Sequence, residues 1–467
     1  MIEKYMGTQL AAVLLLSAAL AGLAYSQNRQ RAALPPPPGT LLSTLTPEPG
    51  YFTEPSIAIN PRNPKQVVAA FQDNAHVAYS TDAGRTWTLA EGIAPTDYKV
   101  SGDVSVTFDN QGHAILCYIA FDKLGTFNYW GHNASRNGIF IRRSLDGGKT
   151  WEKNHIPVAQ HPTAPGIPFE DKPYIVADTG NGKYGGTLYI GWTRWNLTNS
   201  QLVLSRSSDD GKTWSAPAEL NDHPGLPRDD NGALEGFEGA VGPDGTLYSV
   251  WSNGDGLVLT SSRDGGRHFS RSRTVIRTAP AMFAIQGVSR ANGFPQIAVD
   301  PHTGRRGRLY VTWSDYRNGD LDVFCAASNN GGKSWSEPVR VNNDAVHNGA
   351  DQYFQWMAVD PLDGSVNAVF YDRRGDPSNR KQTVVLARSE DGGNTFKNFG
   401  WTSESFDPGG VFMGDYSGIA ALGGRVYGAW TERHPLQKQP GAPSTSSGHA
   451  GPPRDTIIRI GVAQFGK

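Results

Sequence analysis

The chain has 467 residues, 19% of them charged, and its formal net charge at pH 7 is -1. Its 55 glycines and 31 prolines favour a turn-rich β protein. Because it has no basic tract and almost no net charge, the composition argues against a nucleic-acid partner. Length alone leaves open one large domain or two to three smaller ones.

The N-terminal segment 1–26 is predicted to be an export signal. Lys4 precedes an apolar run from Leu10 to Ala24, and the small residues at its end suit cleavage just before Gln27. The run is short for a membrane span, although an uncleaved anchor is an alternative. We therefore expect a secreted or periplasmic protein with no membrane contact beyond this segment.

An eight-residue motif occurs six times after that segment. The second copy reads SLDGGKTW, and the copies begin at Ser80, Ser144, Ser207, Ser262, Ser328 and Ser389. They lie about 60 residues apart, which leaves room for four short strands with their loops. Each copy lies between β-rich runs, so it is predicted to form the turn of a β-hairpin.

The residue types in the motif have structural roles. An Asp in a turn accepts hydrogen bonds from nearby backbone amides, Gly supplies a positive φ, and the final aromatic residue buries a large surface. The three acidic ligands that an EF-hand loop supplies are missing, so these turns are not predicted to bind calcium.

The pattern Ser-x-Asp-x-Gly-x-Thr-Trp resembles the Asp-box, or bacterial neuraminidase repeat, and we call each copy a box. The resemblance covers nearly all of the chain from about residue 50. It implies a sialidase-like β-propeller in which each box joins the third and outermost strands of a blade, on the face opposite the binding site. The same repeat occurs in sialidases, in other glycosidases and in proteins without known catalysis.

Two other repeated patterns predict seven blades. The first begins at Glu54, Gly102, Asp171, Glu235, Phe294, Phe354 and Asp415. The second is a strand that closes on an aromatic residue, at Phe71, Phe121, Trp192, Trp251, Trp313, Phe370 and Trp430. We expect these seven aromatic residues to pack between blades, and a six-bladed ring with an accessory hairpin is the alternative fold.

The last unit has no box, and the chain ends before its outermost strand. Residues 39–46, at the end of a Pro-rich spacer (27–49), could supply that strand and close the ring. We expect the propeller to span 50–467, with a disordered Pro/Gly/Ser-rich insertion at about 434–453. Cys117 and Cys325 lie in different repeats and are expected to be buried strand residues rather than a disulfide.

Two sets of polar residues are predicted to converge on the top face, where the innermost strands begin and the second strands end. The acids of the first set are Glu54, Asp103, Asp171, Glu235 and Asp415, with Asp351 just upstream of its strand. The arginines of the second set are Arg317, Arg373, Arg374 and Arg433. Structural bridges between neighbouring blades are the alternative interpretation of both sets.

The resemblance to sialidases implies a role for each residue type. Three arginines (Arg317, Arg373 or Arg374, and Arg433) would clamp a sugar carboxylate. Tyr353 or Tyr416 would be the nucleophile, activated by Glu432 or Glu235, and Asp103 the acid/base. The remaining acids, Glu54, Asp171, Asp351 and Asp415, would bind substrate. The nearest counterpart of the family's Arg-Ile-Pro signature, at residues 155–157, has His155 in place of the arginine.

Three hypotheses follow. The first is an exported, monomeric, sialidase-like glycoside hydrolase that acts on a glycan or glycoconjugate and needs no cofactor. The second is a non-catalytic propeller that binds a glycan or a protein through the same face. The third is a calcium site formed by the ring of acids, for which the sequence has no compact ligand motif.

Overall fold

The computed structural model describes residues 33–72, 74–93, 95–123, 135–227, 232–278, 283–302, 304–402, 404–434 and 455–466. The expected export signal lies outside the described residues, as does most of the expected insertion. The described residues contain no helix that is long and apolar enough to cross a membrane.

The described chain is all-β, and its strands form seven four-stranded antiparallel blades. Strand β1 (Leu41–Thr44) precedes them. Blade 1 is β2 (Thr53–Ile59), β3 (Val67–Gln72), β4 (His76–Ser80) and β5 (Thr88–Ala90); blade 2 is β6 (Val100–Phe108), β7 (Ala114–Phe121), β8 (Asn137–Ser144) and β9 (Ile156–His161). Blade 3 is β10 (Phe169–Ala177), β11 (Leu188–Trp195), β12 (Ser200–Ser207) and β13 (Ala218–Glu219); blade 4 is β14 (Glu235–Val241), β15 (Leu247–Ser252), β16 (Gly256–Ser262) and β17 (Arg273–Arg277). Blade 5 is β18 (Gln296–Asp300), β19 (Arg308–Asp315), β20 (Asp322–Ser328) and β21 (Val339–Arg340); blade 6 is β22 (Gln352–Val359), β23 (Val366–Asp372), β24 (Thr383–Ser389) and β25 (Lys397–Gly400). Blade 7 combines β26 (Gly418–Leu422), β27 (Arg425–Arg433) and β28 (Thr456–Gln464) with β1.

The blades form a closed ring. The innermost strand of each blade (β2, β6, β10, β14, β18, β22 and β26) contacts the innermost strand of the next, and β26 contacts β2. The prediction of a seven-bladed propeller is confirmed, and the six-bladed alternative is wrong.

Strand β1 closes the ring. It pairs antiparallel with β28, with a register that runs from Leu41 opposite Val462 to Thr44 opposite Arg459. Both ends of the propeller therefore lie in one sheet, and the edge of β28 is covered as predicted.

The six boxes join the third and fourth strands of blades 1 to 6. In blade 3, Asp209 accepts hydrogen bonds from the N–H (3.0 Å) and hydroxyl (2.6 Å) of Thr213. The N–H of Gly211, a residue with φ of +80°, donates to the Ser207 hydroxyl at 2.9 Å. The indole N–H of Trp214 donates to the Gly211 carbonyl at 3.1 Å, and its ring packs on the hydrophobic cluster that blades 2 and 3 share. The box is thus a structural clip for the hairpin.

The hydrophobic core lies between adjacent blades. The aromatic residues that close the seven second strands are all buried, at 5% exposure or less: Phe71, Phe121, Trp192, Trp251, Trp313, Phe370 and Trp430. Burying one such side chain stabilises the fold by about 1.5–3 kcal/mol. Cys117 in β7 and Cys325 in β20 are buried and not joined in a disulfide.

Candidate functional site

A cavity of about 490 Å³ opens on the top face. Its wall comes from the starts of the innermost strands, the ends of β3 and β7, and the segment before β26. Five carboxyl groups of the described residues line it, and we call them the carboxylate arc: Asp415, Glu54, Asp103, Asp171 and Glu235. The structure therefore brings together the five acids that the sequence aligned at the starts of five innermost strands.

β-Bulges at the top of the innermost strands set the direction of these side chains. The pairing register shifts in β2, β6, β10, β14 and β22, each time at the top of the strand. The bulge residues with positive φ are Glu54 (55°), Asp103 (46°), Lys172 (45°), Gly236 (75°) and Phe354 (51°). For a residue other than glycine this conformation costs about 1–3 kcal/mol, and such strain is concentrated at functional sites.

Backbone amides of neighbouring blades link successive members of the arc. The N–H of Asp415 in blade 7 donates to Oε1 of Glu54 in blade 1 at 3.0 Å. The N–H of Lys172 in blade 3 donates both to Oδ2 of Asp103 and to Oδ1 of Asp171, each at 3.1 Å. Since one donor serves two carboxylates, Asp103 and Asp171 lie side by side.

Glu54 has the most unusual environment in the arc. Its side chain is only 2% exposed, and its carboxyl group interacts with that of Asp103. Burial raises the pKa of Glu54 well above its ordinary value, and the negative charges of Asp103 and Asp415 raise it further, whereas Arg290 opposes the shift. Glu54 is therefore held in its protonated form at pH values where an ordinary glutamate is ionised.

Lys172 forms part of the cavity wall beside the arc. Its Nζ atom lies 3.4 Å from Oε1 of the buried Glu238. Burial raises the pKa of Glu238 to about 8, although the Lys172 ammonium opposes this shift. Four aromatic rings surround the ammonium, at these distances from Nζ to ring centroid: Tyr174 5.7 Å, Phe294 5.0 Å, Trp356 5.2 Å and Tyr416 4.8 Å. The ammonium group of Lys172 is thus held between the Glu238 carboxyl group and the faces of these rings.

Residues 283–295, which we call the strap, connect blade 4 to blade 5 and reach blade 7. The Gly410 N–H donates to the Gly287 carbonyl at 2.7 Å. The guanidinium of Arg290 pairs with Asp415, with Nε 2.9 Å from Oδ1. Strap residues Phe283, Ile285 and Ala291 share one buried cluster with side chains of blades 6 and 7, including Tyr353, Tyr371 and Trp430. The cavity therefore opens over blades 7 and 1 to 4.

Arg317 and Arg374 do not line the cavity. The guanidinium of Arg317 pairs with Asp315, with Nε 2.9 Å from Oδ1. Arg374 pairs with Asp372 in the same way, with Nε 2.5 Å from Oδ2. In both cases an aspartate two residues earlier on the same strand end pairs with the arginine.

Arg373 and Arg433 are also bound elsewhere. Arg373 is fully buried and donates to the Asn379 carbonyl at 2.7 Å, and Nε of Arg433 lies 2.7 Å from Oδ2 of Asp455. The expectation that these arginines and the two above converge on one carboxylate is corrected, because each has a local partner and the strap packs over blades 6 and 7. Among the residues that the structure describes, the arginine on the cavity wall is Arg290, which the sequence did not indicate.

The two candidate nucleophiles are buried. The Tyr416 hydroxyl donates to the Val104 carbonyl at 3.2 Å, in a small cleft that shares Lys172 with the cavity. Burial, followed by the charge of Glu54 and other arc members, raises the pKa of Tyr416 well above its ordinary value. Burial also raises the pKa of Tyr353, whose hydroxyl contacts Gln382. Neither tyrosine has the lowered pKa of an activated nucleophile.

Glu432 and Asp351 are likewise separate from the arc. The Glu432 carboxylate lies 3.2 Å from Nε of Arg459 within blade 7. Asp351 accepts from the Asn379 side chain at 2.6 Å and from the Leu321 N–H at 3.1 Å. Both contacts are of the structural kind that the sequence analysis left open.

The described residues include no group of three or more His, Cys, Asp or Glu side chains placed to hold a metal ion. The arc members are instead linked through backbone amides, as described above.

Three residues of the site were missed from sequence: Lys172, Glu238 and Arg290. Lys172 follows Asp171 directly, and the bulge gives it, rather than Asp171, the positive-φ position that Glu54 and Asp103 have. An alignment of the innermost strands on their bulge residues, rather than on their acids, would have placed Lys172 at the cavity wall. Arg290 lies in an irregular segment, and no local pattern predicts its contact with Asp415.

No protein-family model matches the chain. The sequence is 25% identical to a sialidase of Micromonospora viridifaciens over 313 residues, 62% of this chain. It is 27% identical to a sialidase of Bacteroides fragilis (strain YCH46) over 216 residues, 38% of this chain. These alignments cover 44% and 38% of the two relatives, so the chain matches less than half the length of each.

Among solved structures, similar folds occur in the Hadza microbial sialidase Hz136 (TM-score 0.48, 16% identity, covering 86% of this chain and 73% of that one). A leech intramolecular trans-sialidase has a TM-score of 0.49 and 12% identity, covering 77% and 68%. The GH93 α-L-arabinofuranosidase of Fusarium graminearum has a TM-score of 0.49 and 14% identity, covering 75% and 97%. We infer nothing about activity from likenesses at these TM-scores. The chain thus folds as a seven-bladed β-propeller and is similar in sequence to part of two curated sialidases.

Proposed function

We propose that this protein is a sialidase-like glycoside hydrolase that binds a glycan in the top-face cavity. The observation that carries the proposal is the carboxyl pair of Glu54 and Asp103, in which burial and neighbouring charge favour a bound proton on Glu54. Glycoside hydrolysis needs one carboxyl group that is protonated near neutral pH and a second one that is ionised.

The arc could supply both groups. In this proposal the Glu54–Asp103 pair donates its proton to the glycosidic oxygen, with the half-buried Asp103 towards the substrate. The bond between that oxygen and the anomeric carbon breaks, a water oxygen bonds to the carbon, and the proton of the water passes to Asp171. Asp171 is oriented for this role by the Trp195 indole N–H at 2.9 Å and the Lys172 N–H at 3.1 Å.

The apolar part of the cavity wall supports a sugar ligand. Phe121, Phe169 and Phe412 line the cavity, and Phe412 is 36% exposed. Aromatic side chains beside a few precisely placed polar groups are typical of small-molecule sites. A sugar ring could lie against these aromatic faces with its hydroxyl groups towards the arc.

The proposed chemistry differs from the tyrosine mechanism that the family resemblance implies. Tyr416 donates its hydroxyl proton to a backbone carbonyl, and its pKa is raised. We therefore assign the reaction to the carboxyl groups and give Tyr416 a role in the cavity wall only.

Non-catalytic glycan binding is the second candidate function. The observation that favours it is that Glu54 and Asp103 both accept hydrogen bonds from backbone amides of adjacent blades. Carboxyl groups with such partners could stabilise the ring and bind sugar hydroxyls without transferring a proton.

We further propose that the protein is exported and acts as a monomer without a cofactor. The apolar run Leu10–Ala24 supports export. Calcium in the arc is the alternative, and a shift of the melting temperature on adding calcium after chelation would reveal it.

The two functions are separated by measuring turnover and binding on the same preparations. The mature protein is mixed with a panel of fluorogenic sialosides, hexosides, hexosaminides and pentosides, and release of the fluorophore is followed. Turnover of at least one glycoside supports the hydrolase. Absence of turnover across the panel by folded protein, with saturable binding of a glycan, would replace it with the binding function.

A further inference from the structure

We propose that the outer edge of blades 4 and 5 carries a second binding site, which binds an anionic polysaccharide through its sulfate or carboxylate groups. The site is separate from the top-face cavity, because no described residue lines both. It consists of two clefts of about 660 and 360 Å³ that share Arg273 and Lys333 on their walls. We call the two clefts together the edge groove.

The wall of the edge groove is predominantly basic. Among the described residues, two acidic side chains line it, Asp264 and Glu337, against six basic ones: Arg263, Arg271, Arg273, Arg277, Arg317 and Lys333. No two of these basic residues are adjacent in the sequence. The boxes of blades 4 and 5, strand β17 and the end of β19 bring them to one edge of the propeller.

Half of these basic side chains have no bonding partner. Three of them are exposed and form neither an ion pair nor a hydrogen bond within the described part of the chain: Arg263, Arg277 and Lys333. By contrast, Arg271 lies 3.6 Å from Asp222, and Arg317 pairs with Asp315. Because like charges on one wall repel one another, a bound anion would be stabilised by the three unpaired groups together.

Arg273 is held on the wall by a change in the box of blade 5. In blades 2 and 3 the indole N–H groups of Trp151 and Trp214 donate to the glycine carbonyl three residues earlier, at 3.0 and 3.1 Å. In blade 5 the equivalent carbonyl, that of Gly332, accepts from the Arg273 guanidinium at 2.7 Å, and the Trp335 indole N–H has no partner among the described residues. A guanidinium has five N–H donors, so Arg273 is positioned by one of them and can offer the others to an anion.

The length of the groove favours a polymer over a small ion. Arg273 and Arg277 are the two ends of β17, roughly 13 Å apart along the strand, and Arg263 lies in the box before it. One sulfate or carboxylate group cannot contact all three, whereas a chain with repeated anionic groups can. Each arginine can form forked hydrogen bonds with one such group.

Protection of a sheet edge does not by itself account for these arginines. Basic residues on an edge strand prevent its pairing with another chain. If this were their only role, they should recur on the other outermost strands, yet β5 and β9 contain no lysine or arginine. The basic residues are concentrated where the two clefts meet.

The aromatic residues of the groove favour a polysaccharide over a nucleic acid. Among the described residues these are Phe269 and Trp335, which are half-buried and pack on the hydrophobic clusters of blades 3 to 5. They offer no exposed row of rings on which bases could stack, as single-stranded nucleic acids require. The export proposed above would also bring the protein into contact with polysaccharides outside the cell.

The test measures binding of the full chain at low salt to dextran sulfate, polygalacturonate and neutral dextran of similar length. We expect one or both anionic polymers to bind and neutral dextran not to bind, and the tighter of the two identifies the anionic group. In 0.5 M salt the affinity should fall, because mobile ions screen the attraction. An oligothymidylate and vesicles of an anionic phospholipid are included as probes of the other polyanions.

Two triple variants test the location of the site. Arg263→Gln/Arg277→Gln/Lys333→Gln removes three charges that have no bonding partner in the described chain, so the fold should persist, and affinity for the anionic polymer should fall at least about tenfold. The control, which removes three exposed charges from blades 1 and 2, should lose less than about twofold: Arg85→Gln/Lys149→Gln/Lys153→Gln.

Several outcomes would overturn the inference: no binding of either anionic polymer, equal losses in the two triple variants, or binding of the oligothymidylate or the vesicles as tight as that of the polysaccharides. Turnover of a small fluorogenic glycoside is recorded on the same proteins. It should be the same in the groove variant as in the wild type, because the edge groove does not contribute to the cavity. Failure of the proposed hydrolase and failure of this site are therefore separate results.

Discussion

The Nζ atom of Lys172 in blade 3 lies 3.4 Å from Oε1 of Glu238 in blade 4, and both side chains are buried. The pair joins two innermost strands at the cavity wall. Above the raised pKa of Glu238 both groups are charged and removed from water, so each charge then depends on the other.

Lys172→Met should therefore destabilise the protein at about pH 9.5, where Glu238 of the wild type is ionised, because Glu238 is then left without a counter-charge and must take up a proton or stay buried and charged. At pH 5 the loss should be smaller, since burial raises the pKa of Glu238 to about 8 and the group is protonated there in both proteins. Urea unfolding at the two pH values measures this. The double variant Lys172→Met/Glu238→Gln is the control and should recover most of the loss at the higher pH; equal losses at both pH values would contradict the account.

Glu54→Gln should have the opposite effect on stability. The folded-state pKa of Glu54 is raised, so the folded protein binds more protons than the unfolded chain between the ordinary glutamate pKa, about 4.3, and the raised value. Wild-type stability falls through this window as pH rises, and glutamine removes that contribution. The melting temperature of the variant should thus equal or exceed that of the wild type at pH 7, with a difference that grows from pH 4 upward. A variant less stable than the wild type at pH 7 would show that Glu54 is ionised.

Arg290→Gln should loosen the strap. The pair with Asp415 and the bond between Gly410 and Gly287 are polar contacts that hold it on blade 7. Hydrogen exchange of the amides in 283–295 should become faster, while exchange in the innermost strands stays slow. Arg459→Gln, which breaks the comparable pair with Glu432 in blade 7, should leave strap exchange as it is. Unchanged strap exchange in Arg290→Gln would mean that apolar packing alone holds the segment.

The fold could be predicted because it depends on short-range patterns that repeat. Each box fixes a hairpin through contacts within eight residues, and the seven closing aromatics mark the second strands. The acids of the arc could be aligned for the same reason. By contrast, Arg290 and Asp415 are 125 positions apart and meet through an irregular segment. Arg317 and Arg374 at the strand ends suggested a clamp for a sugar carboxylate. Each instead pairs with the aspartate two residues before it, Asp315 or Asp372.

The boxes lead to a prediction about acid stability. Hydrogen bonds from the hydroxyl and N–H of Thr86 hold the pKa of Asp82 at about 2. Because the pKa of Asp82 is lower in the folded protein than in the unfolded chain, its ionised carboxylate stabilises the fold. This contribution is complete above the pKa of the unfolded chain, near 3.9, and is lost as the pH falls towards about 2.

Asp82→Ala should therefore cost about 1–3 kcal/mol at pH 7 and less at pH 2.5. Asp82→Asn is the matched variant, because Asn330 makes the equivalent bonds in the fifth box, with Oδ1 accepting from the Ser334 N–H at 3.0 Å. It should cost less than the alanine variant. Denaturant unfolding of the three proteins measures the effect, and equal losses in both variants would indicate that the bonds contribute little.

The central claim is that the carboxyl pair of Glu54 and Asp103 is the acid of a glycoside hydrolase. Its most direct test is the turnover of the best fluorogenic glycoside by the wild type, Glu54→Gln and Glu432→Gln, each shown to be folded. We predict that Glu54→Gln loses kcat by about 10²–10⁴-fold with KM little changed, as expected for a lost general acid, and that Glu432→Gln stays near the wild type. Equal kcat in all three proteins would contradict the claim and exclude the pair as the catalytic acid.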